Sequence, residues 1–256
     1  MAMSRGGLGI VTVLGLLTGA VGDARQAPLP EPDSFYADTR ANLERAQRVQ
    51  GEFAYRERRT ELHLNPFGRM GTGGTVVYEV TPLPGGGTER RLLERDGKAV
   101  AGAEVERREP RGRRQPRRRS AVDDTVGVLR FTIDRRDTVG GRRVIAVRFE
   151  PKPDANAETR EGNLAKRFSG TIFVDEEDRE VVRVEATAVD DLTYGYGMVA
   201  RLGRGTTVRL EREPVEDNLW MPTSIRFSGS GRALLLRRLN IDQVIEWSNY
   251  RRVRQP

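Results

Sequence analysis

The chain has no cysteine and a single histidine among its 256 residues. The first absence removes disulfides, thiolate nucleophiles and cysteine-held metals together. The second leaves a histidine-built metal site without its ligands, and any Ser-His-Asp arrangement would have to use His63. His63 lies in Glu61-Leu62-His63-Leu64-Asn65-Pro66-Phe67, beside a turn, where a surface or capping role is the plain reading. Beyond residue 22 no stretch approaches the roughly 18 to 20 apolar residues a membrane helix needs. Stability must therefore come from packing and backbone ladders.

What the first 32 residues hold is directional. Arg5 supplies a basic flank, residues 8–21 an apolar run, and Ala20-Val21-Gly22 or Gly22-Asp23-Ala24 a small-x-small cleavage site. The expectation is a cleaved secretory signal over residues 1–22, a Pro-rich leader over 23–32 with Pro28, Pro30 and Pro32, and a periplasmic mature chain. With no cysteine after the apolar run, lipoprotein acylation has no acceptor.

Charge is plentiful but mixed, 32% of residues with a net +7. Its placement is sharper, because residues 107–119 hold eight arginines interrupted by Pro110, Gly112 and Pro116. Like-charge blocks of this kind form solvated inserts. Arg113, Arg114, Arg117, Arg118 and Arg119 are its candidate contacts to an anionic surface such as lipid headgroups. Nucleic acid is not expected, since export separates the protein from it and the run lacks the aromatics that stack single-stranded bases.

The body reads as strands. After a helix over residues 34–48, capped by Asp33 with Phe35, Thr39, Leu43 and Ala46 on one face, period-two segments dominate. They cover residues 50–61, 75–81, 89–95, 127–134, 143–150, 170–175, 181–189, 207–212, 220–229 and 233–247. Turns such as Asp96-Gly97 and Gly140-Gly141 separate them, and residues 156–167 form a short helix with Leu164 on its apolar side. The expected fold is mainly β (α+β), an incomplete antiparallel barrel of about ten or eleven strands with an N-terminal amphipathic helix and one or two short helices. Residues 33–256 form a single domain. Residues 190–204 form an apolar, glycine-spaced excursion.

Chemistry-bearing patterns are weak. Asp123-Asp124, Glu176-Glu177-Asp178 and Asp190-Asp191 are paired carboxylates, but the middle cluster sits at a hairpin tip where carboxylates make turns. Gly68-Arg69-Met70-Gly71-Thr72-Gly73-Gly74-Thr75 precedes a strand and lacks the Lys-Ser/Thr ending of a phosphate loop. No catalytic residue, metal or cofactor is assigned.

The order of helix and hairpins, Gly170-Thr171-Ile172-Phe173-Val174-Asp175 returning through Val181-Val182-Arg183-Val184-Glu185, then Leu219-Trp220-Met221-Pro222 before Phe227-Ser228-Gly229-Ser230-Gly231, resembles the periplasmic lipoprotein-carrier superfamily (LolA/LolB-like), most closely its exported acidobacterial-type members. The resemblance covers residues 33–252. It implies an incomplete barrel over helices with an apolar cavity for acyl chains. The Arg-rich insert is no feature of that superfamily, and no single residue matches the carriers' cavity arginine, so lipoprotein carriage as such does not transfer.

An open barrel exposes apolar surface of the kind that marks ligand grooves. Phe131, Phe149, Phe173, Trp220 and Phe227 are the candidate cavity residues, with Tyr194, Tyr196, Met198 and Leu202 as a lid. The expected function is a non-enzymatic periplasmic carrier or binding protein for a lipid, acylated peptide or other hydrophobic ligand. The alternative is a partner-binding envelope module of anti-sigma-regulator type.

Overall fold

The computed structural model describes residues 28–64, 74–84, 86–102, 104–108, 120–194, 200–216, 219–233 and 237–253. Residues 1–22, expected to form the export signal, the run 109–119 with its five candidate contact arginines, and Tyr196 and Met198 lie outside the described residues. Arg107 and Arg108 do not belong to the insert. They end a strand, where Arg107 pairs with Glu89.

Helix α1 (Pro32–Val49) begins two residues earlier than the sequence implies, because Glu31 and not Asp33 caps it. The Glu31 carboxylate accepts from the backbone N–H of Asp33 at 3.1 Å and of Ser34 at 2.8 Å. Pro32 stands at the first helical position, where its missing N–H costs nothing. Phe35 and Ala46 are buried, so the expected apolar face is the packed one.

Among the described residues fourteen strands follow in one sheet: β1 (Phe53–Leu64), β2 (Gly74–Pro82), β3 (Thr88–Arg95), β4 (Lys98–Ala99), β5 (Val105–Arg108), β6 (Leu129–Val139), β7 (Arg142–Pro151), β8 (Phe168–Asp175), β9 (Val181–Ala188), β10 (Leu192–Tyr194), β11 (Ala200–Leu202), β12 (Thr207–Glu216), β13 (Leu219–Ala233) and β14 (Arg237–Arg252). Two short helices, α2 (Ala121–Val128) and α3 (Arg160–Ala165), flank β6 and β7 in sequence. The main path runs β4-β3-β2-β1-β14-β13-β12-β9-β8-β7-β6, with every pairing antiparallel. Among the described residues β6 pairs only with β7, and β4 and β5 only with β3, so the sheet ends in two edges and does not close. This is the incomplete barrel the sequence implies. The β6–β7 turn places Gly140 and Gly141 at φ 57° and 81°. Two positive φ values in succession are what a two-residue hairpin with matching twist requires.

α2 was not expected. Ser120 caps it by accepting from the Asp123 N–H at 2.9 Å, so Asp123-Asp124 is a first-turn pair and not an acid/base site. Asp124 is fully buried and accepts from the Thr159 N–H and hydroxyl, both at 2.7 Å, which ties α2 to the start of α3. Leu164 is 52% exposed, against the apolar contact expected of it. Gly162 packs in its place, because a Cβ there would meet Asp124.

The β8–β9 turn shows what the acidic cluster does. Asp175 accepts from the N–H groups of Glu177 and Asp178 at 2.9 and 2.8 Å and from Arg142 Nε at 2.7 Å. Burial works to raise its carboxyl, but the Asp178 N–H, Arg142 and the Glu177 N–H outweigh it and hold Asp175 below the usual 3.8. A depressed folded value gives stability that is present above 3.8 and lost as pH falls through the folded value. Asp175→Asn should therefore lower the urea midpoint near neutrality, with the gap to wild type narrowing as the pH falls below 3.8. An unchanged gap at acid pH would show that the turn geometry, not the charge, carries the effect.

Candidate functional site

Strand alternation sorts side chains onto two faces, and helix contacts identify them. Phe35, Tyr36 and Leu43 of α1 pack on Ile145, Val147, Val174 and Val181, with Phe131, Ile133, Ile172 and Val184 beside them. Val128 and Leu129 pack with Phe149, Phe168 and Ala188, against which Phe131, Ala165 and Val208 also lie. Ala46 packs on Phe53, Leu219 and Met221, next to Tyr250. All of these belong to the helix-bearing face. Register carries that face across the sheet through Val208↔Phe227, Val184↔Leu210, Leu210↔Ile225 and Ile225↔Ile245. Leu210, Ile225, Phe227 and Ile245 join none of the packed groups and are only half-buried. They form an apolar row on β12, β13 and β14 that the helices leave open.

The candidate cavity residues divide between the two faces. Phe131 and Phe149 are cross-strand partners and, with Phe227, stand on the helix-bearing face. Phe173 and Trp220 stand on the other, buried with Val139, Val144, Ala146 and Val182. Arg142 covers that cluster, its guanidinium 4.9 Å from the Trp220 ring. Of the lid candidates, Tyr194 ends β10 and Leu202 ends β11. The two strands form a hairpin that joins β13 at Gly231–Ala233.

Past Ile245 the helix-bearing face turns polar. Ile245 pairs with Arg59 of β1, and two residues away Trp247 pairs with Glu57, which pairs in turn with Tyr78 of β2. Glu57 is 4% exposed, and its carboxylate is fully engaged. Arg59 Nε donates to it at 2.5 Å, Arg90 Nη2 donates to the same oxygen, and Trp247 Nε1 donates to the other at 3.2 Å. Tyr78 presents its ring to both guanidinium groups, 6.0 Å from Arg59 and 5.3 Å from Arg90. Two cations thus share one anion. The sequence carries a signal for this group: Phe53, Tyr55, Glu57 and Arg59 alternate, so period two alone puts a charged pair on the face that buries Phe53.

A pocket of about 340 Å³, mostly on the opposite face of the same strands, is lined by Arg56, Arg58, Val77, Glu94 and Glu246 and reaches Trp247. It is polar and open, and it shares no residue with the apolar row. Among the described residues no group of three or more His, Asp or Glu could hold a metal, and no helix is long and apolar enough to cross a membrane.

No protein-family model matches the chain, and no curated protein does. Solved structures of similar layout include a LolA superfamily protein. That protein, from Nitrosomonas europaea, is 11% identical at a TM-score of 0.38, over 85% of this chain and 94% of its own. A DUF1329 family protein from Desulfovibrio piger is 16% identical at a TM-score of 0.35, over 84% and 92% of the two chains. The Pseudomonas aeruginosa MucA/MucB complex is matched at 10% identity and a TM-score of 0.28, over 85% of this chain and 100% of that one.

Proposed function

We propose that this protein is a non-catalytic binding or carrier protein of the periplasm that holds a hydrophobic ligand, a lipid or acylated chain, against the helix-bearing face of its sheet. The observation that carries this reading is the row Leu210, Ile225, Phe227 and Ile245, apolar side chains left only half-buried between elements that bury their neighbours. A folded chain rarely leaves such a row uncovered without a ligand or partner for it. Phe131 and Phe149 serve as its floor at the β6–β7 end. The hairpin of β10 and β11 serves as the cover, since β11 pairs with β13 a few residues beyond Phe227. Export through residues 1–22 delivers the protein to a compartment where lipids in transit need shielding from water, and Arg113, Arg114, Arg117, Arg118 and Arg119 bring it to anionic headgroups.

Leu210→Asp is the direct test. A carboxylate in the row must be desolvated against any bound chain, so uptake of a fluorescent fatty-acid analogue should fall by about tenfold or more. The thermal midpoint should move little, because Leu210 is half-open already. Solvent extraction of the purified protein, followed by mass spectrometry, should yield a lipid. Absence of both extracted lipid and probe binding overturns the reading, and a stoichiometric protein complex in their place would put a partner-binding role first.

A further inference from the structure

The geometry points to an anionic amphiphile as the ligand, its acidic headgroup held by Arg59 and its chain lying along Ile245, Ile225, Leu210 and Phe227. The inference rests on the hydrophobic-ligand reading and adds the chemistry of the polar end. Arg59 and Ile245 are cross-strand partners on one face, so their Cβ atoms stand about 5 Å apart, and the charge begins where the apolar row ends.

Arg59 is the available cation of the pair. Arg90 is buried, its side chain 7% exposed, and committed to Glu57. The Arg59 side chain is 27% exposed and donates to Glu57 through Nε alone, which leaves both Nη groups without a hydrogen bond among the described residues. Those two groups form the edge of a planar fork that matches the two oxygens of a carboxylate or a phosphate. Glu57 fixes the fork from behind, and Tyr78 backs the guanidinium at 6.0 Å. Glu61, two residues along the same face, has its carboxylate engaged by Gln243 Nε2 at 3.0 Å. A long-chain alcohol would find the same apolar row and no partner for the fork. A cationic amphiphile would meet Arg59 as a like charge.

The test compares one chain with four heads: palmitate, hexadecyl phosphate, hexadecanol and hexadecyltrimethylammonium, each titrated below its aggregation concentration against the full mature protein. At least one of the two anions should bind about tenfold or more tighter than hexadecanol, the ammonium should bind weakest, and the ratio between the two anions names the headgroup. In Arg59→Gln the preference for anion over alcohol should shrink to within about twofold, and Arg59→Lys, which keeps the charge, should restore part of it. Thermal midpoints of both variants report whether the sheet is intact. Equal binding of acid and alcohol by wild type, or an anion preference that survives Arg59→Gln in a folded protein, overturns this inference and leaves the hydrophobic carrier standing. Failure of all four probes removes both.

Discussion

Trp220→Ala is expected to cost roughly 3–5 kcal/mol of folding free energy, among the largest losses a single truncation here can produce. Trp220 is 1% exposed and packs with Val144 and Ala146, both at 0%, and with Phe173 and Val182. Truncation removes an indole from a site whose neighbours are held by sheet hydrogen bonds on β7, β8 and β9, so the walls cannot collapse into the void. It also strips the aromatic surface from beneath the Arg142 guanidinium. Phe227→Ala should cost much less, because its ring stands half-buried on the other face, where fewer contacts are lost. Urea denaturation of both variants gives the comparison, with a common slope as the sign that the unfolded state is unchanged. A loss below about 1.5 kcal/mol for Trp220→Ala would mean that the indole faces open space and that the far side of the sheet is itself a groove.

The separation of those two aromatics is legible in the sequence itself. Trp220 and Phe227 are seven residues apart on one strand, an odd number, and simple alternation assigns such residues to opposite faces, with a register shift at Thr223 between them in the structure. Grouping them by residue type conceals it. The same alternation locates β1 to β3, β6 to β9 and β12 to β14 within a few residues, because most of these strands carry polar residues on one face and turn residues at their ends, while β7 is buried on both faces. Pairing is less legible. β1 joins β14 across almost the whole chain, a pairing in the middle of the open sheet that no local residue specifies. α2 is hidden because Val122, Val126 and Val128 favour strands, and only the Ser120 cap and the buried Asp124 turn the segment helical. The charged group at Glu57, Arg59 and Arg90 needs residues from β1 and β3 to meet across β2. Half of it lies in the alternation of β1, and Arg90 does not.

Arg212→Met should destabilise by a similar amount, about 3–5 kcal/mol, for a different reason. Glu180 is 1% exposed, and its carboxylate has two partners, Arg212 Nη1 at 3.2 Å and Arg45 Nη2 of α1 at 3.1 Å. Arg212 is 5% exposed and also donates to the backbone carbonyls of Val181 at 3.2 Å and Trp220 at 2.7 Å. Burial pushes the Glu180 carboxyl up and the Arg212 guanidinium down, because neither charge is well solvated where it sits. Removing Arg212 leaves that carboxylate inside with Arg45, half exposed, as its remaining cation, and takes a donor from two backbone carbonyls. The double variant Glu180→Met with Arg212→Met removes the stranded charge and should regain part of the loss, so the two single effects will not add.

The pH dependence supplies the second signature. A carboxyl whose folded value is raised above 4.5 contributes stability that is present below 4.5 and lost as pH rises through the folded value. Without Arg212 the folded value climbs further, so Arg212→Met should recover stability relative to wild type as the pH is brought from about 7 toward 4.5, and the double variant should show no such recovery. Chemical denaturation at several pH values reads this directly. A penalty for Arg212→Met that is independent of pH, or a double variant no more stable than the single one, would mean that the guanidinium matters for the two carbonyls it caps and not for the carboxylate beneath α1.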